Sequence, residues 1–139
     1  MGVAGFDHVA MPAENVEELI AFYKRLGFTI IDEDRWRAGT RPVFAIQCGD
    51  QKINVHPPAV WTRSEFTLRG PAAKPGCGDF CFVWDGDLAG LQATLTAAGA
   101  PIEAGPVPRE GGRGGGHTVG TSMYTRDPDG NLLEFIIYS

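Results

Sequence analysis

The chain has 139 residues, of which 43% are hydrophobic and 21% charged, the balance of a globular protein that buries a core. Seventeen acidic residues outweigh twelve basic ones, and the basic residues form no cluster, which argues against a nucleic-acid partner. No apolar run approaches the ~20 residues that span a bilayer, and the N-terminus lacks a signal peptide's features. With three cysteines, Cys48, Cys77 and Cys81, these features predict a cytoplasmic protein with reduced thiols and no membrane partner.

Hydrophobic periodicity predicts a strand, a helix and three more strands in the first part of the chain. Their ranges are 6–12, 13–28, 28–34, 42–48 and 51–56. The helix carries an apolar stripe that includes Leu19 and Tyr23, and Gly27 stands where a helix C-terminus favours a left-handed residue. The last strand, "KINVH", is stopped by two prolines. The proline-rich segment 57–77 is predicted to be a connector.

The same order of elements begins again after the connector. A strand at 78–86, a helix at 87–99 and strands at 101–107, 121–127 and 131–139 are predicted, with a tight turn at "DPDGN". The glycine-rich segment 109–120 lacks the spacing of a phosphate-binding loop, so it is either a mobile lid or a plain connector. The chain is therefore predicted to be an α+β protein built from module one (1–56), the connector (57–77) and module two (78–139).

Superposing the two modules brings four potential metal ligands into two equivalent pairs. When Leu19 is aligned with Leu91, His8 falls on Asp79 of the matching first strand, and His56 falls near Glu134 of the matching last strand. Each residue has a simpler explanation when taken alone: a structural histidine, or a polar group at a strand end. Two imidazoles with one or two carboxylates suit a divalent ion such as Ni²⁺, Zn²⁺, Co²⁺, Mn²⁺ or Fe²⁺.

Glu134 lies in "NLLEFIIYS", the most apolar run of the chain. An ionised carboxylate buried in such a run costs several kcal/mol unless it is paired or bound to a metal. The alternatives are a carboxylic acid with a raised pKa and a buried ion pair. With its counterparts in the other strands, Glu134 favours a metal site.

Four segments resemble the glyoxalase I / bleomycin-resistance / ring-cleaving dioxygenase superfamily, also called vicinal oxygen chelate proteins. They are "FDHVAMPAENVEELIAFYKRLGF", "QKINVH", "GDFCFVWDG" and "MYTRDPDGNLLEF", so the resemblance covers essentially the whole chain, and "DPDGNLLE" is its most specific part. The resemblance implies two βαβββ modules that form a U-shaped mixed sheet around a metal cleft. It also implies a homodimer whose site is assembled from both chains.

The resemblance implies that His8, His56, Asp79 and Glu134 are the metal ligands. The chain departs from the glyoxalase I pattern at two of them. Asp79 stands where histidine or glutamate is common, and aspartate is one methylene shorter than glutamate, which leaves open binding through water or no binding. His56 stands where glutamate is common, so His8, His56 and Glu134 form a set that also suits non-haem Fe²⁺.

The resemblance implies three alternative functions. The first is an isomerisation of the glyoxalase I (lactoylglutathione lyase) type, in which a metal chelates neighbouring oxygens of a small substrate and Glu134, or a metal-bound water, removes a proton next to a carbonyl. The second is an Fe²⁺-dependent ring-cleaving dioxygenase. The third is a metal-free protein that binds a drug or metabolite, as in the bleomycin-resistance branch.

Four further residues are candidates for substrate contacts. Lys52 and Asn54 alternate with the apolar Ile53 and Val55 and share a strand face with His56. Arg109 and Arg113 belong to the glycine-rich segment, where they are candidates for binding a substrate carboxylate.

Overall fold

The computed structural model describes all 139 residues and divides into two compact units, Met1–Cys77 and Gly78–Ser139. The first unit contains β1 (His8–Pro12), α1 (Val16–Arg25), β2 (Ile30–Ile31), α2 (Glu33–Arg37), β3 (Phe44–Cys48), β4 (Gln51–His56) and α3 (Pro58–Trp61). The second contains β5 (Asp79–Val83), α4 (Leu88–Ala97), β6 (Ala104–Glu110), β7 (Val119–Arg126) and β8 (Leu132–Ile137). The longest helices have ten residues, which is too short for a membrane-spanning segment.

Each unit is a four-stranded mixed sheet. In the first unit the order is β1-β4-β3-β2, with β1 and β4 parallel and the other pairs antiparallel. In the second unit β5 pairs in parallel with β8, and β7 and β6 follow in antiparallel order. The first and last strands of each βαβββ module are therefore neighbours at its sheet edge. The predicted α+β class with two βαβββ modules is confirmed.

The core of each unit lies on one face of its sheet, where the alternating hydrophobic positions are buried. In the first unit Ile53 and Val55 of β4 are nearly inaccessible, as are Leu19 and Tyr23 of α1. In the second unit Leu133 and Phe135 of β8 are buried, and so are Leu91 and Leu95 of α4. A fully buried aliphatic or aromatic side chain stabilises the fold by about 1.5–3 kcal/mol. This packing on the core face fixes the strands, and with them the side chains on the other face of each sheet.

The structure differs from the predicted elements in three segments. The strand expected at 28–34 is only Ile30–Ile31, because the chain turns at Asp32 (φ 64°) into helix α2. Its Glu33–Arg37 ion pair spans one helical turn and favours the helix. The connector contains the short helix α3, and the strand expected at 101–107 is shifted to 104–110.

The glycine-rich segment is part of a β-hairpin. Strand β6 extends to Glu110 and β7 begins at Val119, so only residues 111–118 form the turn. The Gly111 amide donates to the Thr118 carbonyl, which closes the hairpin. The segment predicted to be a mobile lid or a plain connector thus forms the ends of two paired strands and the turn between them.

Candidate functional site

The second sheet has a face opposite its core, and Glu134 lies at its centre. Cross-strand pairing places Cys81, Glu134 and Tyr124 in one row across β5, β8 and β7. The next row contains Val83, Ile136, Ser122 and Val107. We call this surface the Glu134 face, and it comprises Cys81, Val83, Ser122, Tyr124, Leu132, Glu134 and Ile136. Partners in a sheet row point to the same side, so these side chains surround the Glu134 carboxylate.

The Glu134 carboxylate is half-buried and is bound by a serine hydroxyl. Ser122 is fully buried, and its hydroxyl donates to Oε2 of Glu134 at 2.6 Å. A short hydrogen bond to an ionised group is about twice as strong as a neutral one, so Ser122 fixes the orientation of the carboxylate. The buried ion pair considered for this position is absent, since none of the chain's ion pairs includes Glu134.

Cys81 and Tyr124, which flank Glu134 in its row, stay protonated at neutral pH. Partial desolvation and then the negative charge of Glu134 raise the pKa of the Cys81 thiol to about 12. Desolvation also raises the pKa of Tyr124, and Glu134 adds to that effect against the opposing influence of Arg109. A protonated thiol is a poor nucleophile. The Glu134 carboxylate is therefore flanked by neutral hydrogen-bond donors.

Tyr124 links the Glu134 row to Arg109 of β6. The Arg109 Nε donates to the Tyr124 hydroxyl at 3.0 Å, and its guanidinium carbon lies 5.7 Å from the centroid of the tyrosine ring. Arg109 of β6 pairs with Gly120 of β7. Gly120 and Tyr124 are four residues apart, which is about 13 Å along the strand. The two side chains therefore lean towards each other across the row of Val107 and Ser122, which positions a guanidinium at the border of the Glu134 face.

The other arginine candidate is held differently. Arg113 lies in the hairpin turn, with its guanidinium carbon 4.2 Å from the centroid of the Tyr138 ring. A Cβ on Gly111 would lie 1.8 Å from the Tyr138 hydroxyl, so only glycine permits this close approach at the start of the turn. Arg113 thus packs the turn against the C-terminal residues and makes no contact with Glu134.

In the first sheet, His8 and His56 occupy opposite ends of the β1–β4 ladder. His8 pairs with Lys52 and Pro12 pairs with His56, so four residues, or about 13 Å along the strand, separate the histidines. The His8 Nδ1 lies 2.5 Å from the Asp7 carboxylate. His56 contacts the connector, where its ring meets the Phe66 ring edge-on at a centroid distance of 5.2 Å.

Burial and then the positive charge of Arg69 lower the pKa of His56, so its imidazole is neutral at pH 7. Neutral imidazole is the form that binds metals. It is also the form that packs best in a partly desolvated environment.

Lys52 and Asn54 share the His8 side of the first sheet. Lys52 borders an open groove of about 340 Å³ that is also lined by Gln47, Asp50 and Ile31. Asn54 pairs with Ala10 and Ala45, so two small side chains flank its amide. Both candidate residues are half-buried.

The four predicted metal ligands are not gathered into one group. Side chains that stand roughly perpendicular to a sheet remain about as far apart as their Cα atoms. The separation of His8 and His56 is therefore too large for one metal ion to bind both imidazoles at metal–nitrogen distances of about 2 Å. Asp79 and Glu134 are closer, on neighbouring strands with Cα atoms about 8 Å apart. No three His, Cys, Asp or Glu side chains are arranged to hold a metal ion. Neither unit by itself therefore supplies a donor set that fits the divalent ion implied by the resemblance.

The ladder registers also change which residues of the two units are equivalent. His8 pairs with Lys52 in the first unit, and Asp79 pairs with Leu132 in the second. Two residues further along the last strands lie Asn54 and Glu134. Asn54 is therefore the counterpart of Glu134, in place of His56, which corresponds to the apolar Ile136.

Three neighbours of Glu134 were not among the residues predicted from the sequence: Ser122, Tyr124 and Cys81. The alternation in "TSMYT" indicates a strand with two faces. It carries no information on which strand lies beside it or in which register, and these two facts bring Ser122 and Tyr124 to Glu134.

Comparison with known proteins identifies relatives over the whole chain. The model of the Glyoxalase/Bleomycin resistance protein/Dioxygenase superfamily matches residues 5–135. The glyoxalase domain-containing protein RDO1 of Mycosarcoma maydis is 33% identical over 140 residues, which cover 99% of this chain and 70% of that protein. The virulence protein STM3117 of Salmonella typhimurium is 32% identical over 133 residues, covering 95% and 83% of the two chains.

Solved structures agree with these relationships. The crystal structure of STM3117 superposes with a TM-score of 0.81 at 31% identity and covers 100% of both chains. A lactoylglutathione lyase from Agrobacterium tumefaciens has a TM-score of 0.67 at 20% identity, covering 98% of this chain and 95% of that one, which supports the fold alone. Since the family match and the relatives extend over nearly the entire sequence, the chain belongs to the glyoxalase/bleomycin resistance protein/dioxygenase superfamily.

Proposed function

We propose that this protein is an enzyme of the superfamily that binds a small substrate on the Glu134 face and uses Glu134 as its proton acceptor. The reaction is an isomerisation of the glyoxalase type, in which a proton moves between two neighbouring carbons. The substrate class, the adduct of a thiol with a 2-oxoaldehyde, comes from the family resemblance.

One observation carries the proposal: the half-buried Glu134 carboxylate lies beside neutral hydrogen-bond donors on a partly apolar sheet face. Ser122 binds Oε2 of Glu134, while Tyr124 and Cys81 have raised pKa values and remain protonated. A general base must be held in a fixed orientation near the proton that it removes. The Ser122 contact supplies that orientation.

The chain's own groups can account for both halves of the proton transfer. Glu134 removes the proton from the carbon next to the substrate carbonyl, and negative charge then develops on the carbonyl oxygen. The neutral Tyr124 hydroxyl, itself bound by Arg109, is the donor on this face that stabilises that charge. Glu134 then returns the proton to the neighbouring carbon, and the hydroxyl proton of the adduct moves to the former carbonyl oxygen. These two transfers complete the isomerisation without any other reactant.

Glu134→Gln tests the proposal. Glutamine has nearly the same shape and still accepts the Ser122 hydrogen bond, but it cannot act as a base. We expect the rate of thioester formation from the adduct of methylglyoxal and a small thiol to fall about 100- to 10,000-fold, the usual range for a general base. The rate is measured by the absorbance of the thioester product.

Glu110→Gln is the matched control, because it makes the same chemical change at an exposed carboxylate of the same sheet. It should leave the rate within about twofold of wild type. A wild-type protein that catalyses no isomerisation of any thiol adduct, or a Glu134→Gln variant with full activity, would refute the proposed reaction.

A second candidate function is a metal-dependent form of the same chemistry, and one observation favours it. Asp79 and Glu134 present two carboxylates on the same side of neighbouring strands. A divalent ion held there would polarise substrate oxygens as a Lewis acid. His8 and His56 remain the predicted additional ligands. The distance between these two histidines argues against the metal-dependent isomerase and against the Fe²⁺-dependent dioxygenase, because both require the histidines to bind the same ion.

Other predicted features also remain proposals. Lys52, Asn54 and Arg113 are proposed substrate contacts, supported by their positions on an open face or hairpin turn. A cytoplasmic location is supported by three free cysteines. A homodimer is supported by the family resemblance, and light scattering after size exclusion would test it against the monomer mass of 14.9 kDa.

A further inference from the structure

We propose that the Glu134 face recognises small carboxylic acids, and that the Arg109 guanidinium binds their carboxylate group. This inference rests on the proposed function for the location of the substrate. It adds a substrate class, a molecule that carries an anionic group near its reacting carbon.

The Arg109 guanidinium is held in place from three directions. Its Nε donates to the Tyr124 hydroxyl at 3.0 Å, its Nη1 donates to the Pro108 carbonyl at 2.9 Å, and its plane lies over the tyrosine ring. These contacts reduce the side-chain entropy that a ligand must otherwise overcome when it orders an arginine.

No carboxylate of the chain neutralises Arg109. Several other arginines of the protein are paired with carboxylates: Arg37 binds Glu17 and Glu33, and Arg126 binds Glu103. Arg109 has only neutral partners, and its Nη2 donates to no atom of the chain. An ordered guanidinium with free donors suits a planar, two-oxygen anion, which arginine binds through parallel hydrogen bonds.

The position of Arg109 sets the size of the molecule. Both its guanidinium and the Glu134 carboxylate border the Tyr124 hydroxyl, and Glu134 contributes to the raised pKa of that hydroxyl. Two hydrogen-bond lengths of about 3 Å that meet at one hydroxyl place the two charged groups at most roughly 6 Å apart. A ligand that spans them has only a few bonds between its carboxylate and the carbon that faces Glu134.

The same face offers an apolar surface to the rest of the ligand. Val83, 57% exposed, stands in the row next to Glu134. An exposed aliphatic side chain beside a charged group is suited to a short hydrocarbon or aromatic skeleton.

The test is calorimetric titration with paired probes that share a skeleton and differ only in charge. Benzoate, phenylacetate and 4-phenylbutyrate are each compared with their primary amides. For wild-type protein we expect at least one of the three acids to bind 10-fold or more tightly than its amide. Arg109→Gln should abolish that preference while leaving the affinity for the amide unchanged, and Arg109→Lys should retain part of it.

Arg126→Gln is the matched control, because it removes the same charge from the same sheet at an arginine that already has a carboxylate partner. It should keep the wild-type preference for acids. Equal binding of acids and amides, no binding of any acid, or the same loss of preference in Arg126→Gln and Arg109→Gln would each overturn the inference.

Glu134→Gln separates this inference from the proposed function. Removing the nearby negative charge should preserve or tighten binding of the acids, even though it stops proton transfer. An inactive wild-type protein that still prefers acids would refute the proposed reaction alone. An active protein without that preference would refute the carboxylate site alone.

Discussion

Individual side chains determine the chemistry of the Glu134 face. A half-buried carboxylate is costly unless hydrogen bonds compensate for lost water, and Ser122 provides one such bond at 2.6 Å. Because Ser122 is fully buried, its hydroxyl cannot turn to solvent. Desolvation is the main cause of the raised pKa values of Cys81 and Tyr124, and the negative charge of Glu134 adds to it in both residues.

His56 makes folding stability depend on pH. Burial and the charge of Arg69 lower its pKa, so the folded protein takes up a proton less readily than the unfolded chain, whose histidines titrate near pH 6.5. The stabilisation is fully present above that pH and is lost as the pH falls through the lowered pKa of the folded state. We expect the urea concentration at the unfolding midpoint, measured with a chelator present, to decrease as the pH is lowered from 7 to 5.

His56→Gln removes the titrating group and should make that fall smaller. His117→Gln, which changes a histidine whose side chain is 79% exposed, is the control and should behave like wild type. An unchanged pH dependence in His56→Gln would show that other groups cause the acid destabilisation.

At the scale of elements, the turn between β7 and β8 joins the second sheet to its first strand. Asn131 is fully buried, its Oδ1 accepts from the Gly78 amide at 2.7 Å, and its Nδ2 donates to Asp127 at 2.8 Å. Asp127 also accepts from the amides of Asp129 and Asn131. The "DPDGN" segment therefore closes the β7–β8 turn and aligns the start of β5 with β8.

Asn131→Ala should lower the free energy of unfolding by about 2–5 kcal/mol, because it removes the hydrogen bonds of a buried side chain to the Gly78 amide and to Asp127. Chemical denaturation measures the loss. Gln47→Ala, at an exposed amide with one long contact of 3.4 Å, is the control and should cost less than about 0.5 kcal/mol. A loss below 1 kcal/mol in Asn131→Ala would show that this network contributes little.

At the scale of the whole molecule, the two units repeat one topology with different chemistry. Matching positions of their last strands hold Asn54 and Glu134, and matching positions of their first strands hold His8 and Asp79. An amide cannot act as a general base or carry a negative charge to a metal. The repeat therefore supplies two similar sheets, of which the second carries the proposed catalytic carboxylate.

Metal content is the property of the whole molecule that decides between the two proposed forms of the reaction. Because His8 and His56 lie at opposite ends of their ladder, we expect protein purified without added metal to contain clearly less than one divalent ion per chain. Elemental analysis measures this content. We also expect dialysis against a chelator to leave the isomerase activity unchanged.

Stoichiometric metal that is lost in both His56→Ala and Glu134→Ala would contradict this expectation and favour the metal-dependent form. Asp50→Ala, at an exposed acidic residue on the β3–β4 turn, is the control for nonspecific binding to carboxylates.

The sequence by itself determined the order of elements, since periodicity and turn residues are local properties. The strand "QKINVH" is found at the predicted 51–56, and the helices lie within the ranges predicted for them. Helix α2 was missed because its signal is a run of charged pairs rather than an apolar stripe. The predicted importance of Glu134 came from its apolar neighbours in sequence.

Only the tertiary structure decided which residues meet. Strand register depends on contacts between segments far apart in the chain, and a shift of one residue would move every side chain to the other face of the sheet. Register separates His8 from His56, makes Asn54 the counterpart of Glu134, and brings Ser122 and Tyr124 to the carboxylate. Residue types that suit a metal can be identified in a sequence, but their common location depends on pairing that no local pattern encodes.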